Sequence, residues 1–182
     1  MNTLTIKASS YRMFLLVFLG LLTAFGPFVT NMYLPALPSM VNWFDTSTSL
    51  VQFSLTSCMV GLAVGQLLFG PMSNRYGRKP VLLWTLLFFI LSTLLCLFSN
   101  HIYVFVIFRL LQGISAAGSI VIARSISTDL FAGRELVRIL AIVGSINGIA
   151  PVLAPVIGGT MTESAGWKGI FIILLFIGIL LL

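Results

Sequence analysis

Arg109 is the residue whose type and position point most directly to a functional role. It begins the stretch Arg-Leu-Leu-Gln-Gly (109–113), in which Arg109 and Gln112 lie about one turn apart on the same helix face. The stretch lies inside an apolar run, where a charged side chain must face protein or water because lipid solvates it poorly. A guanidinium there can bind a polar or anionic group, but it stays protonated throughout. The alternative interpretation is that Arg109 extends to lipid headgroups at the end of the run.

Asn31 and Tyr33 are polar residues at the end of another apolar run. They belong to the stretch Asn-Met-Tyr-Leu-Pro-Ala-Leu-Pro (31–38). The amide of Asn31 can form hydrogen bonds with a substrate or with Arg109, but it cannot titrate. Alternatively, Asn31 is a polar residue at a helix end that satisfies carbonyl groups freed near Pro35. The sequence leaves both interpretations open.

Composition places these residues in a membrane protein. The 182 residues are 59% hydrophobic and only 8% charged, far from the values of soluble domains. We predict an all-α integral membrane bundle that forms a single transmembrane domain, 1–182. Its predicted helices are 13–37, 50–70, 80–98, 102–122, 139–161 and 169–182. The last one is cut short of the ~20 residues that a membrane span needs.

The polar stretch Gly-Pro-Met-Ser-Asn-Arg-Tyr-Gly-Arg-Lys-Pro (70–80) joins the second and third predicted helices. Gly70 and Gly77 predict a sharp turn at positions where a side chain would collide, and Pro80 suits the first turn of the next helix. The stretch carries three cations and no acid, which predicts a cytoplasmic membrane face. Alternatively, it is only a charged loop that fixes the topology.

The distribution of lysine and arginine gives the predicted orientation. Eight lie on the predicted cytoplasmic side and one, Lys168, lies outside. The eight are Lys7, Arg12, Arg75, Arg78, Lys79, Arg124, Arg134 and Arg138. This bias predicts a cytoplasmic amino terminus, and it explains the net positive charge without a nucleic-acid partner.

Two groups of small residues predict close helix packing. The run Ala-Pro-Val-Leu-Ala-Pro-Val-Ile-Gly-Gly (150–159) has two prolines, each of which removes an intrahelical hydrogen bond, and small residues along one face. Gly61 and Gly65, with Gln66 beside them, indicate helix packing in the second predicted helix rather than a ligand site.

No group of residues suggests catalysis. All four acidic residues lie in predicted loops, so no acid pair lies at membrane depth. A glycine-rich loop ending in Gly-Lys-Ser/Thr, which a nucleotide-driven pump would need, does not occur in the sequence. Cys58 and Cys96 fall inside predicted helices as small apolar residues, and no metal-ligand spacing occurs. We therefore expect neither an enzyme nor a bound metal or cofactor.

The polar stretch 70–80 resembles the loop between helices 2 and 3 of the major facilitator superfamily, whose pattern is Gly-x-Leu-Ala-Asp-Arg-x-Gly-Arg-Lys. Asn74 departs from that pattern, because the family has an acid there. The 109–113 stretch resembles the family's helix 4 motif, and 150–159 is similar to its antiporter motif Gly-Pro-x-x-Gly-Gly. The 31–38 stretch resembles the end of helix 1 in the branch that exports bicyclomycin, chloramphenicol and related drugs.

The resemblance implies the amino-terminal six-helix half of a twelve-helix transporter, built from two inverted three-helix repeats. It implies three groups of functional residues. The substrate cavity would be lined by Asn31, Tyr33, Arg109 and Gln112. The cytoplasmic gate would contain Gly70, Asn74, Arg75, Gly77, Arg78, Lys79 and Asp129, with Arg78–Asp129 as its main charge contact. The helix 5 motif, Pro151, Pro155, Gly158 and Gly159, would pack against a helix of the other half.

The function implied by the resemblance is efflux of small drug-like molecules across the inner membrane by alternating access. The family couples this to protons, but Asn31 stands where it has an aspartate, so we expect coupling by this chain to be weak or absent. The expected partners are the lipid bilayer, a drug-like substrate, and a missing carboxy-terminal six-helix half or a second copy. Two alternatives are a non-transporting remnant or partner subunit, and a six-helix carrier that pairs with itself.

Overall fold

The computed structural model describes residues 2–182, with side chains from Met13 onward, and it is helical throughout this range apart from short connections. The side chains of Lys7 and Arg12 lie outside the described residues. The helices are α1 (Asn2–Asn31), α2 (Leu37–Phe44), α3 (Thr48–Tyr76), α4 (Arg78–Phe98), α5 (Ile102–Leu130) and α6 (Gly133–Leu181), with a 3-10 turn at Leu34–Ala36. Five segments of the described chain are long and apolar enough to cross a membrane: Met13–Phe44, Thr48–Tyr76, Arg78–Phe98, Ile102–Leu130 and Gly133–Leu181.

The longest helix, α6, is two helices joined at a break. Gly166 has φ 69° and ψ −176°, which is not helical, and it separates 133–165 from 167–181. The connection predicted between helices 139–161 and 169–182 is therefore wrong in extent, because only Gly166 leaves the helical conformation. A positive φ is accessible to glycine because it has no Cβ.

Contacts with α1 show that the first part of α6 runs parallel to it. Ile146 packs on Gly20, and Gly158 packs on Met32, so residue numbers rise together along both helices.

The second part of α6 runs back in the opposite direction. Phe171 lies beside Tyr33, just past the end of α1, whereas Leu181 and Phe14 line one groove near its beginning. The described chain therefore passes through the bundle six times.

Several predicted helix ends are wrong: α1 ends before its predicted end, whereas α3 and α5 continue beyond theirs. α1 ends at Asn31 rather than at 37, since Pro35 cannot continue it and the chain turns at Leu34–Ala36 into α2. In contrast, α3 continues to Tyr76 and α5 to Leu130, beyond the predicted ends at 70 and 122. The helices therefore extend past their apolar segments and carry polar groups on their last turns.

Glycines let α3 and α5 approach each other closely, as predicted for Gly61. A Cβ on Gly61 would lie 2.3 Å from the carbonyl oxygen of Leu110, and a Cβ on Gly113 would lie 2.1 Å from that of Cys58. Backbone atoms cannot move aside as a flexible side chain can. Small residues therefore fix the spacing of these two helices.

Aromatic rings pack together at the end of the bundle where α1 stops. The ring of Phe105 lies 5.4 Å from Phe44, 5.9 Å from Trp167 and 5.6 Å from Phe171, between ring centres. Tyr33 lies 6.2 Å from the same ring. This cluster covers the end of α1, where the polar network described next is buried.

Candidate functional site

Arg109 is fully buried between α5 and α1, and it makes two hydrogen bonds. Its Nη1 donates to Oε1 of Gln112 at 2.6 Å, and its Nη2 donates to the carbonyl oxygen of Val29 at 3.2 Å. The interpretation in which Arg109 extends to lipid headgroups is therefore wrong, because its guanidinium points into the bundle.

Val29 is available as an acceptor because α1 ends two residues later, at Asn31. The last four carbonyl groups of a helix have no partner within that helix. The guanidinium also faces the negative end of the α1 macrodipole, which favours a cation. Arg109 thus caps the carboxyl end of α1 from a neighbouring helix.

Gln112 extends the network into α4. Its Nε2 donates to Oγ1 of Thr93 at 2.8 Å, and that hydroxyl donates to the carbonyl oxygen of Phe89 at 2.7 Å. Gln112 and Thr93 are both fully buried. The predicted placement of Arg109 and Gln112 on one helix face is confirmed, and three helices are joined through it.

Tyr33 completes the surroundings of Arg109. The guanidinium carbon lies 4.7 Å from the centre of the Tyr33 ring and 5.8 Å from that of Phe171, within the range of cation–π attraction. The Tyr33 hydroxyl lies 2.5 Å from Oγ of Ser54 on α3. The ring is thereby fixed beneath the buried charge.

The charge of Arg109 has no acidic partner among the described residues. Its hydrogen bonds go to an amide and a carbonyl oxygen, and its Nε is a buried donor with no partner there. A buried charge without a counter-ion is costly, so the surrounding dipoles and ring faces must hold it.

Asn31 does not join this network. Its Nδ2 donates to the carbonyl oxygen of Pro27 at 3.0 Å and contacts Oγ1 of Thr30 at 3.3 Å. The interpretation of Asn31 as a hydrogen-bond partner of Arg109 is wrong. The four predicted cavity residues therefore separate into a buried set of three and Asn31, which is half-buried at the surface.

An open groove of about 460 Å³ lies beside Asn31, between α1, α3, α5 and the first part of α6. Its lining includes the amides of Asn31, Gln66 and Asn147 and the guanidinium of Arg124, and no carboxylate among the described residues that form it. Gln66 is exposed in this groove, so its assignment to helix packing is wrong. Asn147 was missed, although an amide inside an apolar run was a signal that could have found it.

Arg78 and Asp129 form an ion pair between the start of α4 and the end of α5. Nε of Arg78 lies 2.9 Å from Oδ2 of Asp129, and Nη2 donates to Oδ1 at 3.5 Å. Nη1 of Arg78 also donates to the hydroxyl of Ser73 on α3. The predicted Arg78–Asp129 contact is present, and it joins three helices.

The rest of the 70–80 stretch differs from the predicted turn. α3 continues to Tyr76, and Gly77 alone separates it from α4, with φ 93°. The predicted turn at Gly77 is confirmed, but the predicted collision is wrong there, because a Cβ would lie 3.6 Å from Pro80, an ordinary contact. At Gly70 both parts of the prediction are wrong, because the residue lies within α3 and a Cβ there would meet nothing within 4 Å. The remaining members of the group are exposed: Asn74, Arg75 and Lys79.

The helix 5 motif lies in the first part of α6, and its small residues pack within this chain. A Cβ on Gly158 would lie 2.0 Å from the carbonyl oxygen of Met32, and Ala154 is fully buried. Gly158 and Ala154 therefore pack within this bundle, and packing of the exposed side against a helix of the other half stays a prediction. Pro151 is exposed on a different side, while Pro155 and Gly159 are half-buried.

Sequence comparison identifies the family. The sequence profile of the family described as Major Facilitator Superfamily matches residues 17–182. The chain belongs to the major facilitator superfamily. YdgK of Bacillus subtilis (strain 168), an uncharacterized MFS-type transporter, is 42% identical over 172 residues, 93% of this chain and 43% of that protein. A bicyclomycin resistance protein homolog of Haemophilus influenzae is 33% identical, over 89% of this chain and 41% of that protein.

A chloramphenicol resistance protein of Pseudomonas aeruginosa is 37% identical over 78% of this chain and 34% of its own length. The chain spans less than half the length of these relatives. Its fold is similar to that of the MFS proton:xylose symporter XylE bound to 6-bromo-6-deoxy-D-glucose, with a TM-score of 0.83 at 18% identity, over 95% of this chain and 44% of that one. The predicted major facilitator fold is confirmed, and this superfamily member is a multi-pass membrane protein.

Proposed function

We propose that this chain forms one helical half of an exporter of small drug-like molecules, and that the groove beside Asn31 is its part of the substrate pathway. The observation that carries the proposal is the open groove in which the polar side chains of Asn31, Gln66, Arg124 and Asn147 gather among apolar residues. Polar groups on such a surface face water or protein rather than lipid, and superfamily transporters hold substrate between two bundles. Relatives named for chloramphenicol and bicyclomycin resistance support this substrate class.

The charge of the groove favours neutral or anionic substrates. Arg124 is exposed in it, its guanidinium forms no hydrogen bond or ion pair with a described residue, and Gln66 and Asn147 offer amides. A lipophilic cation would meet a like charge without a compensating acid from this half.

The buried network around Arg109 has a positioning role in this proposal. Arg109 is fully buried, so it acts on substrate through α1 rather than by contact. Its hydrogen bond to Val29 holds the last turn of α1, which carries Asn31 into the groove. At the other end, the Arg78–Asp129 pair would open and close as the gate during alternating access.

A second six-helix bundle, either a carboxy-terminal half or a second copy, would complete the pathway. Without it, we expect the chain to insert in the inner membrane and not to lower drug accumulation, because one bundle has half a cavity and no second gate. We further propose that this protein is not an enzyme.

The main test is drug accumulation in cells that lack other exporters. We expect the chain, together with its second bundle, to lower accumulation of chloramphenicol more than that of the cation ethidium. Gln66→Leu and Asn147→Leu should restore chloramphenicol accumulation, whereas Gln52→Leu, an exposed amide on α3 outside the groove, should not. Equal effects of all three substitutions, or better export of ethidium than of chloramphenicol, would contradict the proposal.

Proton coupling by this half is proposed to be weak, because Asn31 cannot titrate and Arg109 stays protonated. In vesicles, an imposed pH gradient should change transport little, and Asn31→Asp should create a pH dependence. A strong response of the unmodified protein would place the coupling acid in the other half.

The proposed topology has the amino terminus and the Asn74 end in the cytoplasm. Single cysteines at Asn74 and Ser47 should react with an impermeant thiol reagent from opposite sides of the membrane, since both positions are exposed. The native Cys58 and Cys96 are fully buried and should contribute little background. Labelling of both positions from one side would contradict this topology.

A further inference from the structure

A second groove lies where α1, α4 and the second part of α6 meet, away from the substrate groove proposed above. It has a volume of about 630 Å³, within the ~300–1,000 Å³ usual for ligand sites. Ten of its lining residues are apolar, among them Phe14, Leu21 and Leu83, and the other two are Arg78 and Lys79. The groove is thus an apolar channel with cations at one end.

The charges at this end are arranged to attract an anion. Lys79 is exposed and makes no hydrogen bond or ion pair with a described residue, whereas Arg78 is paired with Asp129. α4 begins at Arg78, and no side chain caps its amino terminus. Its first backbone N–H groups and the positive end of its macrodipole therefore lie beside Lys79. No aspartate or glutamate side chain lines the groove among the residues described.

We propose that this groove binds an anionic phospholipid, with the phosphate at Lys79 and the start of α4 and an acyl chain along Phe14, Leu21 and Leu83. Charge complementarity argues for an anionic headgroup, since basic pockets at a membrane face attract such lipids. The apolar walls argue for a lipid rather than a free phosphate, because a phosphate ion would leave most of the groove unused. The groove shares no lining residue with the substrate groove.

The test measures lipid retained by the purified protein. The protein is equilibrated in mixed micelles with equal phosphatidylglycerol and phosphatidylcholine, and bound lipid is counted by native mass spectrometry. We expect phosphatidylglycerol to be enriched and Lys79→Gln to lower its retention about fivefold, the factor expected for one cation at an anionic surface. Arg75→Gln is the matched control, because Arg75 is an exposed cation of the same stretch that does not line the groove.

A second variant tests the acyl part of the site without changing charge. Leu21→Trp should fill the groove and lower retention of phosphatidylglycerol, while far-UV circular dichroism and size-exclusion profiles stay those of the wild type. Equal retention of the two lipids by the wild type would overturn the proposal. Equal losses in Lys79→Gln and Arg75→Gln, displacement of the lipid by inorganic phosphate, or unchanged retention in folded Leu21→Trp would each do so as well.

Discussion

Arg109 and Arg78 show two ways in which one bundle holds a guanidinium. The Arg109 region, formed with Val29, Gln112, Thr93 and Tyr33, is fully buried and contains no carboxylate among its described members. The Arg78 region, formed with Asp129 and Ser73, has side chains 26% exposed at Arg78 and 50% exposed at Asp129. Both arginines join three helices, but only Arg78 has a counter-ion.

The difference follows from what each environment supplies. At the end of the bundle, water screens the ion pair, so the pair costs little to form and contributes little. In the interior, the hydrogen bonds and ring faces around Arg109 must replace water, and every donor and acceptor left without a partner is costly. Changes of equal size should therefore have larger effects in the Arg109 region.

The largest effect is expected for Gly113→Ala, next to Gln112. A Cβ there would lie 2.1 Å from the carbonyl oxygen of Cys58, so α3 and α5 must separate, at a cost of about 3 kcal/mol. Gly70→Ala is the control in the exposed region, where a Cβ meets nothing within 4 Å, and it should not destabilise, since alanine is favoured over glycine in a helix by about 1 kcal/mol. Denaturant titration in micelles measures the free energy of unfolding of both variants. Equal losses of stability would show that the two glycine positions are not packed differently.

Arg109→Lys should have the next largest effect. A lysine keeps the charge but lacks the planar fork, so Oε1 of Gln112 or the Val29 carbonyl loses its donor. One buried acceptor without a partner costs about 1–3 kcal/mol. Arg78→Lys should cost less than about 1 kcal/mol, because that pair is partly exposed. Thermal unfolding compares the stability of the two variants. A smaller loss of stability for Arg109→Lys than for Arg78→Lys would show that the hydrogen bonds of Arg109 do not stabilise the end of α1.

The smallest effect is expected for the ion pair itself. A double-mutant cycle of Arg78→Gln and Asp129→Asn should give a coupling free energy below about 1 kcal/mol. The coupling should fall further as salt is added, since exposed charges are screened. A larger coupling free energy that does not change with salt concentration would mean that the pair behaves as a buried one. The Arg78 and Arg109 regions would then not differ as proposed.

The sequence by itself determined the features that depend on local spacing and on solvent. Apolar runs predicted membrane helices, because backbone groups in lipid must pair within the segment. The spacing of Arg109 and Gln112 placed both on one helix face, and Gly77 predicted the turn that separates α3 from α4. Gly61 predicted close packing, because a glycine leaves free the space that a side chain would fill, and the neighbouring helix occupies that space.

Only the tertiary structure decided which groups these faces meet. One acceptor for Arg109 is the backbone carbonyl of Val29, which is free to accept because α1 ends at Asn31. A pattern of side chains cannot predict which backbone carbonyl will be free. Gly158 packs on Met32 of the same chain, and Asn31 points away from Arg109 into a groove. Helical spacing assigns residues to a face of their own helix. Which helix packs against that face depends on the direction and packing of the six membrane passes, and these contacts join residues far apart in the chain.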